Sequence, residues 1–223
     1  MASYASLIDT LDAELTAVLA VFRGVAPEDW ERSTRLVPVD PDLPHWTVFE
    51  LAGHFDISIG LTRMLIAAPS DERPARDRTS FFINPRSETG PVVYSYAYAM
   101  VDGKVAADMP GVLAETFGKA VHEARAVRRD RVGPGYFAPM RVDEFVASRI
   151  VEAVVHGIDL SEALGIEYVA TAPGIAVTAA ILDDLLARRT VGARPPELAD
   201  DLDWILAASG RAESADNRLP LIG

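Results

Sequence analysis

Residues 142–164 place the tightest constraint on what this chain can fold into. Val146, Ile150, Val151, Val154, Val155 and Ile158 cover most of a helical circumference, and Gly165 closes the segment. A helix that is apolar nearly all round is buried among other elements. Yet Arg149, Glu152, His156 and Asp159 recur at steps of three, four and three, which sets them along one narrow stripe. Burying an ionisable group is costly unless it is paired or holds a metal ion. The fold must therefore wrap this helix and still leave a polar cavity along the stripe.

The rest of the chain supplies the wrapping. Tyr4, Leu7, Ile8, Leu11, Leu15, Val18, Leu19 and Phe22 follow helical spacing, with Asp9, Asp12 and Glu14 on the face turned away and Gly24 at the end. A connection over residues 25–45 holds Pro27, Pro38, Pro41 and Pro44 and resists regular structure. Thr47, with Glu50 three residues on, forms a capping box that starts a second helix over 48–67. Residues 70–91, rich in charge, Arg and Pro, read as a long loop. Tyr94, Tyr96 and Tyr98 alternate with small residues as in a strand, although 95–105 also fits a helix. A third helix is expected over 111–129, stopped by Gly133-Pro134-Gly135, and the fourth is 142–164. Beyond Gly165, residues 174–188 and 198–208 are helical candidates, and the apolar end at 218–223 packs down. The expected fold is mainly all-α: a four-helix bundle over 1–165, with a small, mostly helical C-terminal extension over 166–223 packed on it.

The chain has no cysteine and four histidines. That excludes disulfides, thiolate zinc sites, iron–sulfur clusters and a cysteine nucleophile, and leaves any metal to His, Asp and Glu. Glu152 and His156, one turn apart, can reach one ion. His54 lies in the second helix among Leu51, Ala52, Phe55 and Ile57. Two His and one Glu from facing helices make a zinc triad with an open coordination position. The spacing alone is weak, because Glu50 and His54 repeat it; Glu50 reads as the capping partner or as a fourth ligand. A lone helical His is more often a hydrogen-bonded core residue than a ligand. Arg149 either meets a carboxylate of a substrate or of a thiol, or pairs with Glu144, Glu152 or Asp159. Asp159 either orients His156 or caps the turn before Ser161. His122 belongs to a charged, exposed face and His45 to a loop. Trp46 reads as a hydrophobic staple over the helix start. Packing is the simplest reading of the tyrosines, pocket lining the alternative.

A net charge of −12 and a pI near 4.7 oppose binding to nucleic acid or an anionic membrane. The most apolar stretch, near 151–160, is interrupted by Glu152, His156 and Asp159 and is no membrane span. Residues 1–10 lack a basic segment and carry Asp9, so no secretory signal is expected and the expected location is cytoplasmic. Lys104 and Lys119 are the only lysines among 21 basic residues, a bias typical of GC-rich genomes.

Two segments resemble a known family. Trp46-Thr47-Val48-Phe49-Glu50-Leu51-Ala52-Gly53-His54 resembles the Trp-Thr-Val-x-(Asp/Glu)-Leu-x-x-His signature of the mycothiol-dependent maleylpyruvate isomerase family, within the DinB-like superfamily. Arg149 to Leu160 resembles its second signature, with Glu-x-x-x-His followed by Asp-Leu. Gly210-Arg211 near the end is also similar to family members. The resemblance spans roughly residues 5–165 in organisation. It implies a divalent metal, usually zinc, on His54, Glu152 and His156, with mycothiol as cosubstrate, in keeping with an actinobacterial host. The implied partners are a low-molecular-weight thiol and a small electrophile, in a thiol S-transferase or a cis–trans isomerase working as monomer or homodimer. The alternatives are a non-catalytic metal- or ligand-binding protein of stress or regulation, and a zinc hydrolase.

Overall fold

The computed structural model describes residues 3–38, 40, 42–83 and 86–222, with the backbone alone for 86–89. Pro41 and Gly223, both part of the sequence-based expectations, lie outside the described residues, as do Met1 and Ala2. Seven α-helices are described: α1 (Tyr4–Arg23), α2 (Val48–Ala67), α3 (Arg86–Val101), α4 (Met109–Ala126), α5 (Val142–Leu164), α6 (Ala172–Arg189) and α7 (Asp201–Ala208). A short antiparallel hairpin, β1 (Val132–Gly133) and β2 (Met140–Arg141), runs directly into α5. Among the described residues, no helix is long and apolar enough to cross a membrane.

Helices α1, α4, α2 and α5 form a four-membered ring in which α1 packs on α4 and α5, and α2 packs on the same two. Helix α6 covers the outer side of α5, and α7 lies on α6. With α1, α2 and α6 around it, α5 needs apolar side chains on almost every side, as its composition requires. The fold is thus a DinB-like helical bundle with a small helical C-terminal region.

Helix ends follow local chemistry. The capping box is present: Glu50 accepts from the Thr47 backbone N–H at 2.8 Å and from its hydroxyl, while Thr47 Oγ1 accepts from Phe49 N–H at 3.2 Å. Gly165, in the left-handed region at φ 68°, ends α5 and bonds back to Glu162 and Ser161. Thr171 caps α6, and Asp200 caps α7 through Leu202 and Asp203.

Four expectations need correction. Helix α3 begins at Arg86, inside the segment 70–91 that reads as loop, and carries Pro91 within it. The tyrosines at 94, 96 and 98 are therefore helical. Gly53 lets α3 lie close on α2: a Cβ there would sit 2.6 Å from the Ala97 carbonyl oxygen. Helix α4 spans Met109–Ala126, shifted from 111–129, because Val127 already turns extended. Residues 196–198 form a separate 3-10 turn, and α7 starts only at Asp201.

The fourth correction concerns Glu14, which is fully buried and does not face outward. It accepts from the backbone N–H of Thr171 at 2.8 Å and from the Thr171 hydroxyl, so it ties α1 to the start of α6. Gly174 leaves the necessary room, since a Cβ there would meet Glu14 Oε1 at 2.1 Å. Burial pushes the Glu14 carboxyl above its ordinary value, against the opposing bonds from Thr171. An acid with a raised folded-state pKa binds its proton more tightly when folded. Stability is then lost as pH climbs from the unfolded value, about 4.3, through the folded one. Glu14→Gln keeps an acceptor for Thr171 and carries no charge. Its thermal midpoint should exceed that of the parent at about pH 8, and the two should converge at about pH 4. A parent midpoint that is the higher at the upper pH would contradict this.

Candidate metal centre

The stripe on α5 meets α2 at His54. The Nε2 atom of His54 lies 3.2 Å from Glu152 Oε2, and the Nε2 atom of His156 lies 3.5 Å from the same oxygen. These three residues offer ligand atoms all within 4.8 Å of one another. Tetrahedral zinc with bonds of about 2.0–2.1 Å holds neighbouring ligands about 3.3 Å apart. Both separations from Glu152 Oε2 agree with that spacing, so the donor set fits a small divalent ion. Glu50 is occupied at the helix cap and is not part of the cluster.

His156 is held from behind. His156 donates from Nδ1 to Asp159 Oδ2 at 2.9 Å, which leaves Nε2 turned toward Glu152. Asp159 is fully buried and receives a two-point guanidinium fork from Arg211, at 3.0 and 2.7 Å. Burial works against ionisation of Asp159, but Arg211, and then His156, hold its carboxyl at about 2. His54 is oriented by packing: its ring lies 5.1 Å from Trp46 and 4.6 Å from His156. Its buried Nδ1 has no partner among the described residues.

Glu152 is the centre of charge in the cluster. Burial favours a protonated Glu152, yet Arg149, His156 and His54 keep its carboxyl well below the ordinary range. Burial and the nearby His156 push His54 below its ordinary value, against the pull of Glu152. Burial also lowers His156, but Asp159 and Glu152 outweigh it and raise the imidazole.

Arg149 is 2 % exposed, and its guanidinium packs against the rings of both Phe81 and Phe145, 4.7 and 4.6 Å from their centroids. It donates to the Ser58 carbonyl at 3.2 Å and stands 3.8 Å from Glu152. Of the ion-pair alternatives, Glu144 goes to Arg78 and Asp159 to Arg211, which leaves Glu152. His122 and His45 are both exposed and outside the site.

The cluster opens onto a cavity of about 570 Å³. Trp46, Tyr94 and Tyr96 line it, so Trp46 does more than cover the start of α2, and two of the three tyrosines are pocket residues. Arg211, Leu221 and Ile222 line the same cavity, so the C-terminal region closes the site. Arg211 is the functional candidate that spacing alone misses. It lies 52 residues from Asp159 in the chain, and only the Gly210-Arg211 pair hinted at it.

Fold and site together define a DinB-like helical bundle carrying a candidate His–Glu–His metal cluster. The chain belongs to the family described as mycothiol maleylpyruvate isomerase N-terminal domain, whose model matches residues 11–161. No curated protein and no solved structure matches the chain significantly.

The partner behind a metal-binding imidazole typically changes metal affinity about 10–100-fold when removed. Asp159→Asn should weaken zinc binding by that factor in competition with a chromophoric chelator. An affinity equal to that of the parent would mean that Asp159 does not support His156.

Proposed function

We propose that this chain is a metal-dependent, mycothiol-using enzyme that acts on a small electrophile, as a thiol S-transferase or a cis–trans isomerase. The observation that carries this reading is the convergence of two imidazole nitrogens and one carboxylate oxygen within 4.8 Å at the wall of a 570 Å³ cavity. Membership of the mycothiol maleylpyruvate isomerase family supports the choice of thiol.

In this reading His54, Glu152 and His156 hold a divalent metal, zinc by the nature of the donors. Bound there, it would supply an open position at which a thiol, ordinarily titrating near 8.5, loses its proton at neutral pH. The thiol comes from solution, because the chain has no cysteine. Two neutral imidazoles and one carboxylate leave one positive charge uncompensated, which favours an anionic sulfur. Asp159 and Arg211 keep the His156 donor atom aimed inward. Arg149 keeps Glu152 ionised and is thus a positioning residue. The bundle over 1–165 carries the cluster, and the extension over 166–223 shields it from water.

The sulfur forms a bond to carbon as the leaving group departs with its electron pair in a transferase. In an isomerase it adds to a conjugated double bond and is expelled after rotation.

Purified protein should contain, or take up, about one zinc ion per chain. Its thermal midpoint and near-ultraviolet absorbance should both change when mycothiol is added to the zinc form. His156→Ala should abolish metal retention. No metal uptake by the parent would contradict the reading outright. Metal uptake with no response to the thiol would favour a hydrolase or a passive binder.

A further inference from the structure

Two aromatic groups line the cavity beside the cluster. Trp46, whose ring lies 5.1 Å from that of His54, stacks on Tyr94 at 5.3 Å and 23°. Phe81 lies 5.5 Å from Phe137, which meets Tyr136 edge-on at 4.5 Å. All five rings line the same space. Trp46, Tyr94 and Phe81 are nearly buried and Tyr136 and Phe137 half-buried, so together they form aromatic walls that suit another ring.

The arginines of the cavity are already committed. Recognition of a carboxylate relies on a free guanidinium fork. Among the described residues three arginines line the cavity. Arg211 gives Nε and one terminal nitrogen to Asp159, and the other nitrogen to the Ser209 carbonyl at 2.6 Å. Arg189 donates to the carbonyls of Leu221 and Phe82. Arg149 packs against the Phe81 and Phe145 rings and donates to the Ser58 carbonyl. The chain as a whole carries a net charge of −12, which further disfavours the approach of an anion.

We propose that the electrophile taken by this site is a neutral aromatic molecule, held between the Trp46–Tyr94 pair and the Phe81–Phe137–Tyr136 group beside the His54–Glu152–His156 cluster. This deepens the function proposed above and rests on it for the reaction, but the binding preference stands on the cavity walls alone.

The test uses the full chain in two forms, stripped of metal by chelation and reloaded with zinc. The probes are 2-naphthol as the neutral aromatic and maleate as the dianion, each followed by isothermal titration calorimetry. In the metal-free form 2-naphthol should bind at one site, at least about tenfold more tightly than maleate. Tyr136→Ala and Phe137→Leu, at half-buried positions, should each weaken it by about tenfold, with folding verified by circular dichroism. Tyr96→Ala, at an exposed ring lining the same cavity, should weaken it too and serves if either of the others misfolds. Maleate as the tighter ligand, or naphthol binding that is absent or indifferent to these substitutions, would overturn the proposal. The metal-free arm decides the matter alone, so failure of the reloaded protein to hold zinc would strike the metal reading and leave the aromatic preference standing.

Discussion

Four ionisable side chains on one helix, Arg149 and Asp159 buried and Glu152 and His156 partly so, set the terms for the rest of this molecule. Removing a carboxylate or guanidinium from water costs several kcal/mol even after relaxation. Each group on the α5 stripe therefore has a compensating neighbour. Arg211 holds Asp159, Asp159 holds His156, and Arg149 with the two imidazoles holds Glu152. Taking one member from a buried pair costs about 3–5 kcal/mol, a large share of the 5–15 kcal/mol by which a domain is stable. The same arrangement that keeps the stripe tolerable also leaves two imidazole nitrogens and a carboxylate oxygen turned toward one point.

This constraint explains why the C-terminal region is bound so firmly to the bundle. Arg211 reaches into the site from beyond α7. Arg35, in the connection after α1, donates to Glu162 on α5 and to the carbonyls of Gly210 and Arg211, fixing the segment that carries that arginine. Arg189 on α6 grips the Leu221 carbonyl, and the backbone of Leu221 and Ile222 bonds to Ala208. Glu14 fastens the start of α6 to α1. The extension thus supplies one wall of the cavity and one arm of its electrostatic support.

Features decided within a turn or two of chain were legible in the sequence. The capping box at Thr47–Glu50, the left-handed stop at Gly165 and the stripe on α5 all follow from local spacing, and the structure has them. His54 stood out in the sequence as a polar residue in an apolar helix, and the structure sets it 3.2 Å from Glu152 on the stripe. What remained hidden depends on distant contacts. Glu14 is buried only because Thr171 and Gly174 arrive over it from another part of the chain. The start of α3 is masked by Gly90-Pro91, whose breaking tendency the helix overrides. Arg211 shows no periodicity at all, and its role exists only through Asp159. Trp46 reads locally as a cover for a helix end, while its stacking on Tyr94 depends on where α3 packs.

The proposed function requires that His54, Glu152 and His156 share one metal ion that a thiol from solution can reach. X-ray absorption at the zinc edge, on zinc-loaded protein before and after one equivalent of mycothiol, measures this directly. The expected spectrum shows imidazole scattering from two His ligands beside light-atom ligands, and gains one sulfur at about 2.3 Å when the thiol is added. A zinc shell without imidazole scattering, or one that stays free of sulfur in excess thiol, would contradict it.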